Sequence, residues 1–378
     1  MRLFFFKIFQ YFTVLKIDKF NKVESLEILN YIDGKCSGSL LSRSKKQYLC
    51  HTYLQNKFIV ILLNILALIF LPFVFIFLIT FVSFKSPAQK KSKNNTAVAF
   101  YIKDDLIPRS LGSRFDIVRS QNLSCTKKDF LYIVRVSFKC WMYPFFLLKF
   151  VFKIFLYSNA INSKNASAIL TSSEYTFLSS ALTDYCHYNG VKHINIMHGE
   201  KLFCIRDSFF KFDEMYVWDE HYINLFFELK AYDAQFICEL PPLFLKSSAP
   251  FESHNESKIK IVKYYLEGNQ SRSEIILIDE WLRDYFGVEI VFRPHPLYSK
   301  IKEIETYGIR LESVSVPIVQ SIEESDFVVS MYSTVLFQAN LMGKEVIIDD
   351  VSNIRLFNYI RDSDYIMLNK KHKKMSAL

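Results

Sequence analysis

The sequence predicts an α/β protein: two Rossmann-like domains facing each other across a cleft, preceded by a membrane-associated helical segment. Three observations lead there. From residue 96 onward short apolar runs alternate with amphipathic stretches, the pattern of parallel strands with helices on both faces of a sheet. At 246–258 the polar stretch KSSAPFESHNESK interrupts that alternation, which then restarts. Before residue 96, positions 58–84 carry no charge at all, a run of about 40 Å if helical, against the ~30 Å of a hydrocarbon core. The expected division is therefore a membrane-associated segment at 1–95, an acceptor domain at 96–245 and a donor domain at 259–378.

Composition narrows the partners. The 378 residues hold 47 Lys and Arg against 38 Asp and Glu, a formal charge of +9, which suits an anion: a nucleotide, a phosphate or a membrane surface. Nucleic acid is not expected, because the cations are scattered and form no stripe interleaved with aromatics. The 37 Phe and 22 Tyr fit two sources, segments expected to face a membrane and the Phe/Lys/Ile/Asn drift of an AT-rich gene. Cys36, Cys50, Cys125, Cys140, Cys186, Cys204 and Cys238 form no Cys-x-x-Cys pair and none stands at zinc-like spacing from a histidine pair. Reduced, buried thiols follow, with no structural metal and no cofactor.

Residues 1–20 mix Phe, Leu and Ile with Arg2, Lys7, Lys16 and Lys19 and lack a small-residue cleavage site, so no secretory signal is expected. Either an amphipathic helix on a membrane surface or a core helix fits them. The run at 58–84 is read as a single span. Lysines balance on its two sides, and Pro72 lies in its middle, which leaves a re-entrant hairpin open. A basic linker follows at 86–95. The stretch 138–157 is apolar but interrupted by Lys139, Lys149 and Lys153, which predicts a helix partly immersed at the interface.

In the acceptor domain strands are expected at 96–102, 115–118, 166–170, 193–197 and 214–218, with a helix over 175–189 stopped by Gly190. In the donor domain strands are expected at 259–266, 288–292, 309–311, 327–330 and 345–348, alternating with helices at 273–286, 334–342 and 354–361.

Three polar clusters fall where strands end. Arg293-Pro294-His295-Pro296 closes one, and its prolines keep the imidazole out of a helix and so presented. Met197-His198-Gly199-Glu200 closes a second and Ser330-Met331-Tyr332-Ser333-Thr334 a third. In open α/β sheets such carboxyl-edge positions bind ligands. A transferase acting on a nucleotide-activated donor must hold the donor phosphate, stabilise its developing charge and deprotonate the acceptor. Ser330, Ser333 and Thr334 suit the first task as hydroxyls at a helix N-terminus, besides capping that helix. His295 suits the second as donor or acid, with Arg293 either steadying the phosphate or salt-bridging inside the domain. His198 suits the third, with Glu200 orienting its ring or serving as base, and Asp219 and Glu220 as rival bases. Glu267 and Gly268, in the loop after the first strand of the donor domain, are expected to touch nucleotide.

These motifs resemble those of GT-B enzymes that use cytidine-nucleotide donors. His295-Pro296 and Ser333-Thr334 are similar to the His-Pro motif and Ser/Thr pair with which bacterial sialyltransferases hold the donor phosphate. His198-Gly199, then Arg293-Pro294-His295-Pro296, then Tyr332-Ser333-Thr334-Val335-Leu336-Phe337 through Gly343-Lys344-Glu345-Val346-Ile347, resemble in order the pattern of CDP-glycerol glycerophosphotransferases. No Asp-Asp-Gly-type base motif of the sialyltransferases is present, and Met197-His198-Gly199-Glu200 replaces the Trp-His-Gly-Thr of the glycerophosphotransferases. The resemblance implies metal-independent transfer from a nucleotide-linked donor to a glycan or lipid-linked acceptor in surface polysaccharide assembly. It further implies an inverting glycosyltransferase using a CMP-linked acidic sugar at the cytoplasmic face of a bacterial inner membrane. A CDP-polyol phosphotransferase and a non-catalytic membrane scaffold are the alternatives.

Overall fold

The computed structural model describes residues 19–34, 38–83, 95–120, 122–245, 260–268 and 270–378. The expected N-terminal surface helix, the basic linker and the hinge at 246–258 lie almost wholly outside these residues. The chain divides into two units, Met1–His198 with Phe203–Pro242, and Gly199–Leu202 with Leu243–Leu378.

The first unit opens with helices α1 (Lys22–Asp33), α2 (Leu40–Leu54) and α3 (Lys57–Ser83). Asn21 and Glu24 close a capping box at the start of α1, and Ser39 caps α2. The strands β1 (Thr96–Ala99), β2 (Asp116–Arg119), β3 (Ala168–Thr171), β4 (Lys192–Ile196), β5 (Glu214–Val217) and β6 (Phe236–Cys238) form one parallel sheet in the order β2-β1-β3-β4-β5-β6. Between them run α4 (Arg109–Arg114), α5 (Lys127–Cys140), α6 (Pro144–Ser163), α7 (Ser179–Tyr188) and α8 (Glu220–Glu228).

Two expectations for this half are corrected. The described part of 1–95 is not a separate segment, because α2 is built into the unit: the Ala181 N–H at the start of α7 donates to Ser44 Oγ at 2.7 Å, and Arg43 donates to the carbonyls of Phe209 and Lys230. The stretch 138–157 is not one continuous helix either. The chain breaks at 141–143 and restarts at Pro144, whose fixed φ suits the first helical turn. Phe146, Phe150 and Ile154, four residues apart, are then fully buried in one core with Val98 and Ile169 of the sheet. Each such side chain contributes roughly 1.5–3 kcal/mol. The Lys149 ammonium lies over the rings of Phe145 and Phe177, 5.2 and 5.1 Å from their centroids, which offset part of its desolvation.

Helix α3 runs unbroken for 27 residues through Pro72, so the hairpin alternative does not hold. Leu63, Ala67, Leu71, Leu78 and Val82 line its inner face and belong to the same core as α6. The outer face, including Ile61, Ile65, Leu68, Ile69, Phe73 and Ile76, is exposed among the described residues.

The second unit holds β7 (Val262–Tyr265), β8 (Val291–Arg293), β9 (Arg310–Leu311), β10 (Phe327–Ser330), β11 (Glu345–Ile348) and β12 (Lys373–Lys374), all parallel, in the order β12-β11-β10-β7-β8-β9. Helices α9 (Arg272–Phe286), α10 (Ile301–Ile304), α11 (Ile318–Glu323), α12 (Thr334–Leu341) and α13 (Ile354–Asp362) connect them. A Ser271/Glu274 capping box starts α9, and Gly287 in the left-handed region ends it. Val262, Tyr264, Phe292, Val329 and Ile347 from the central strands make the core.

Candidate functional site

In the second unit the strand order turns back on itself between β7 and β10, the topological switch point at which open α/β sheets bind ligands. The loops leaving these two strands hold each other: Tyr332 N–H donates to Glu267 Oε1 at 2.7 Å. Burial pushes the Glu267 carboxyl up to about 7, and nearby Asp349 and Glu274 push the same way against the opposing Tyr332 amide. Gly268 sits at φ +108, and a Cβ there would lie 2.4 Å from the Cβ of Tyr298. Only glycine lets this loop approach the 294–299 turn so closely.

That turn fixes His295. Its Nδ1 accepts from the backbone N–H of Leu297 at 3.1 Å and of Tyr298 at 3.3 Å. Its backbone N–H donates to Ser299 Oγ at 2.8 Å, and its ring stacks on Tyr298 with centroids 4.5 Å apart. With Nδ1 accepting, the proton of the neutral ring is assigned to Nε2, which becomes the donor. Partial burial lowers the imidazole pKa further from its ordinary value. Of the two ring nitrogens, Nε2 is therefore the one that would face a ligand as donor.

The hydroxyl cluster is differently employed than expected. Ser330 is fully buried and donates to the Tyr265 carbonyl at 2.7 Å, a brace between β10 and β7 rather than a phosphate ligand. Ser333 is the N-cap of α12, its Oγ accepting from Val335 N–H at 3.2 Å. Thr334 Oγ1 accepts from Glu200 N–H at 3.2 Å, and Tyr332 OH donates to the Glu200 carbonyl. Ser333 and Thr334 thus stand at the helix N-terminus, where backbone N–H groups and the helix dipole favour an anion.

Arg293 was left between a phosphate contact and an internal salt bridge. It is buried, its Nη1 pairs with Glu312 and its Nη2 donates to the Val316 carbonyl at 2.6 Å. Lys263 pairs with the other Glu312 oxygen at 2.7 Å and Ser321 donates to that carboxylate as well. Of the two roles the sequence left open for it, the structure describes the salt bridge.

In the first unit His198 leaves the end of β4 and Gly199 follows at φ +66, a left-handed turn that suits glycine. A carboxylate at the imidazole is Glu174, whose Oε1 is 3.6 Å from Nδ1. Glu174 is fully buried at the end of β3 and held there: Asn195 Nδ2 donates to its Oε2 at 2.8 Å, and Gln47 of α2 donates to its carbonyl at 2.7 Å. Asn195 Oδ1 in turn accepts from Ser173 N–H at 2.7 Å. A cavity of about 190 Å³ beside His198 is lined by Phe100, Lys153, Tyr157, Thr171, Ser172 and Ser173. The rival Asp219 caps α8, its Oδ1 accepting from His221 N–H at 2.9 Å, and Glu220 lies in the first turn of that helix.

Sequence reasoning missed Glu174. The signal was present, since Ser172-Ser173-Glu174 directly follows the β3 run as Gly199-Glu200 follows that of β4. Among the described residues no group of three or more His, Cys, Asp or Glu is placed to hold a metal.

No family model matches the chain, and no curated protein matches it. Solved structures do. A wall teichoic acid polymerase TagF soaked with CDPG matches at 14% identity and TM-score 0.33 over 49% of this chain and 53% of its own. The S. aureus MnaA co-structure with UDP matches at 12% identity and TM-score 0.41 over 67% and 78%. A putative UDP-N-acetylglucosamine 2-epimerase from Listeria monocytogenes matches at 11% identity and TM-score 0.43 over 68% and 79%. The match to the first of these spans about half the polymerase's length.

Proposed function

We propose that the protein is a GT-B transferase that binds a nucleotide-activated donor at the switch point of its second unit. The donor in this reading is a CMP-linked acidic sugar, sialic or a related ulosonic acid, passed to a bacterial surface glycan at the cytoplasmic face of the inner membrane. The observation that carries it is the fixed His295: an Nε2–H donor held by two backbone amides, on a turn packed against Gly268 of the switch-point loop. A fixed neutral donor stabilises charge growing on a departing phosphate without having to reorient.

In the displacement the acceptor oxygen bonds to the anomeric carbon, and the carbon–oxygen bond to phosphate breaks with both electrons leaving on the cytidylate. His295 hydrogen-bonds that phosphate oxygen, with the α12 N-terminus behind Ser333 and Thr334 as a second source of positive potential. His198 takes the acceptor proton, and the buried Glu174 beside it stabilises the resulting imidazolium.

A second reading, CDP-polyol phosphotransfer, is favoured by the ordered run from His198-Gly199 to Gly343-Lys344-Glu345-Val346-Ile347. It uses the same groups but attacks phosphorus. Both reactions release CMP, so purified protein is offered CMP-sialic acid and CDP-glycerol separately and CMP is measured. Release from the first supports the proposed donor, release from the second the alternative, and release from neither, with glycan unchanged in cells carrying His295→Ala, leaves a scaffold.

A further inference from the structure

We infer that α3 does not cross a membrane but lies in the plane of one leaflet of an anionic bilayer, with both its ends on the same side. The chain on each side of the helix fixes this. Before it, α2 is locked into the folded unit through Ser44, Arg43 and Gln47, which bond to α7, to the Phe209 and Lys230 carbonyls and to the Glu174 carbonyl. After it, β1 is an interior strand of the same unit's sheet, paired with β2 and β3. One unbroken helix cannot leave that unit, cross a bilayer and return to it.

Its packing agrees. The helix lies along α6: Asn64 Oδ1 accepts from Phe145 N–H at 3.3 Å near one end, and the Phe77 ring lies 6.5 Å from that of Phe155 further on. Helix α6 is itself fastened to the sheet, with Tyr157 OH 3.0 Å from His193 Nε2 of β4. Hydrocarbon around the whole of α3 would have to displace α6 and the sheet beneath it.

What remains is a one-sided apolar face, and its surroundings fit lipid. Between α3 and α6 a groove of about 340 Å³, lined by Phe70, Phe73, Phe77, Leu123, Phe152 and Phe155, is open to the outside and apolar throughout its lining. Exposed Phe138, Trp141 and Met142 stand next to Tyr143 and Phe145, at the Asn64 end of the helix. Of these, Trp141 and Tyr143 are the kinds of side chain that seat at headgroup depth. Beside them Lys45, Arg135 and Lys139 line a cavity of about 540 Å³, in which Asp184 is already engaged by Tyr132 OH at 2.6 Å. Three cations next to an apolar face complement an anionic lipid surface. The balanced lysines flanking 58–84, which left the orientation of a span undecided, follow directly if both flanks face the same headgroups.

Two experiments on the full chain test this. In cells, with Cys36 and Cys238 replaced by Ala, Gln55→Cys and Asn95→Cys are probed with a membrane-impermeant maleimide in intact spheroplasts and in inverted vesicles. In-plane seating predicts that both label only in the inverted vesicles; labelling of the two on opposite faces overturns it. In vitro, flotation is measured with phosphatidylglycerol-rich and with phosphatidylcholine vesicles. Ile65→Glu and Phe73→Glu, with circular dichroism unchanged, are each expected to weaken binding about tenfold or more, and wild type is expected to prefer the anionic vesicles. Unchanged flotation of both variants overturns the proposal, whether the face is covered by residues 1–18 or by a second copy, the latter seen as a concentration-dependent dimer without lipid.

Discussion

Replacing Glu267 by Gln isolates one group whose energetics the structure makes explicit. Burial at the switch point moves its carboxyl from an ordinary 4.5 to about 7. The folded protein therefore holds a proton between those values that the unfolded chain has lost. Stability from this group is full below pH 4.5 and falls as pH climbs through 7, by about 3 kcal/mol at 1.36 kcal/mol per pH unit. Gln keeps an acceptor oxygen for Tyr332 N–H but carries no charge, so Glu267→Gln should lose this part of the pH slope. At pH 8 the variant should be the more stable by up to about 3 kcal/mol; near pH 4.5 the two should match. Hydrogen exchange of the β7 and β10 amides at several pH values reads the second unit alone. Parallel pH dependences for wild type and variant would refute the reasoning.

Other substitutions separate structural from chemical roles. Arg293→Ala leaves Glu312 and Lys263 in a broken buried network and should cost about 3–5 kcal/mol, while protein that stays folded keeps its nucleotide affinity in calorimetry. Ser333→Ala removes the α12 cap and should cost about 1 kcal/mol by urea unfolding. Gly268→Ala forces a Cβ against Tyr298 and should weaken nucleotide binding more than it lowers the unfolding midpoint. Glu174→Gln should lower turnover by roughly 10²–10⁴-fold with donor affinity unchanged; an equal loss in both would return Glu174 to a purely structural role.

Much of the architecture was legible because parallel strands announce themselves as apolar runs ending in polar turns. The runs at 327–330 and 345–348 match β10 and β11 residue for residue. Edge strands β6 and β12 were not legible, being short and half exposed or exposed, with no continuous apolar run. Helix α6 was hard to read for a physical reason: Lys149 lies over the rings of Phe145 and Phe177 while Phe146, Phe150 and Ile154 fill the core, so a helix packed on the sheet also carries charges along its length. At the site, the ends of apolar runs located His198 and His295 but left out Glu174, which stands beside His198. Glu174 comes from β3, the strand beside β4 in the sheet, and proximity across a sheet leaves no trace in spacing. Residue type alone left Arg293 open between phosphate and an internal salt bridge and pointed Ser330 at phosphate; burial gives both internal partners, Glu312 and the Tyr265 carbonyl.

The central claim is that a cytidine nucleotide binds beside a fixed His295. Thermal unfolding of the full protein with CMP, CDP or UDP, in wild type and His295→Ala, tests it most directly. Saturating CMP or CDP at about a hundred times its dissociation constant should stabilise wild type by about 2.7 kcal/mol, UDP less, and His295→Ala should lose most of the shift while unfolding normally without ligand. A shift of equal size in the variant, or none with any nucleotide in wild type, contradicts the account.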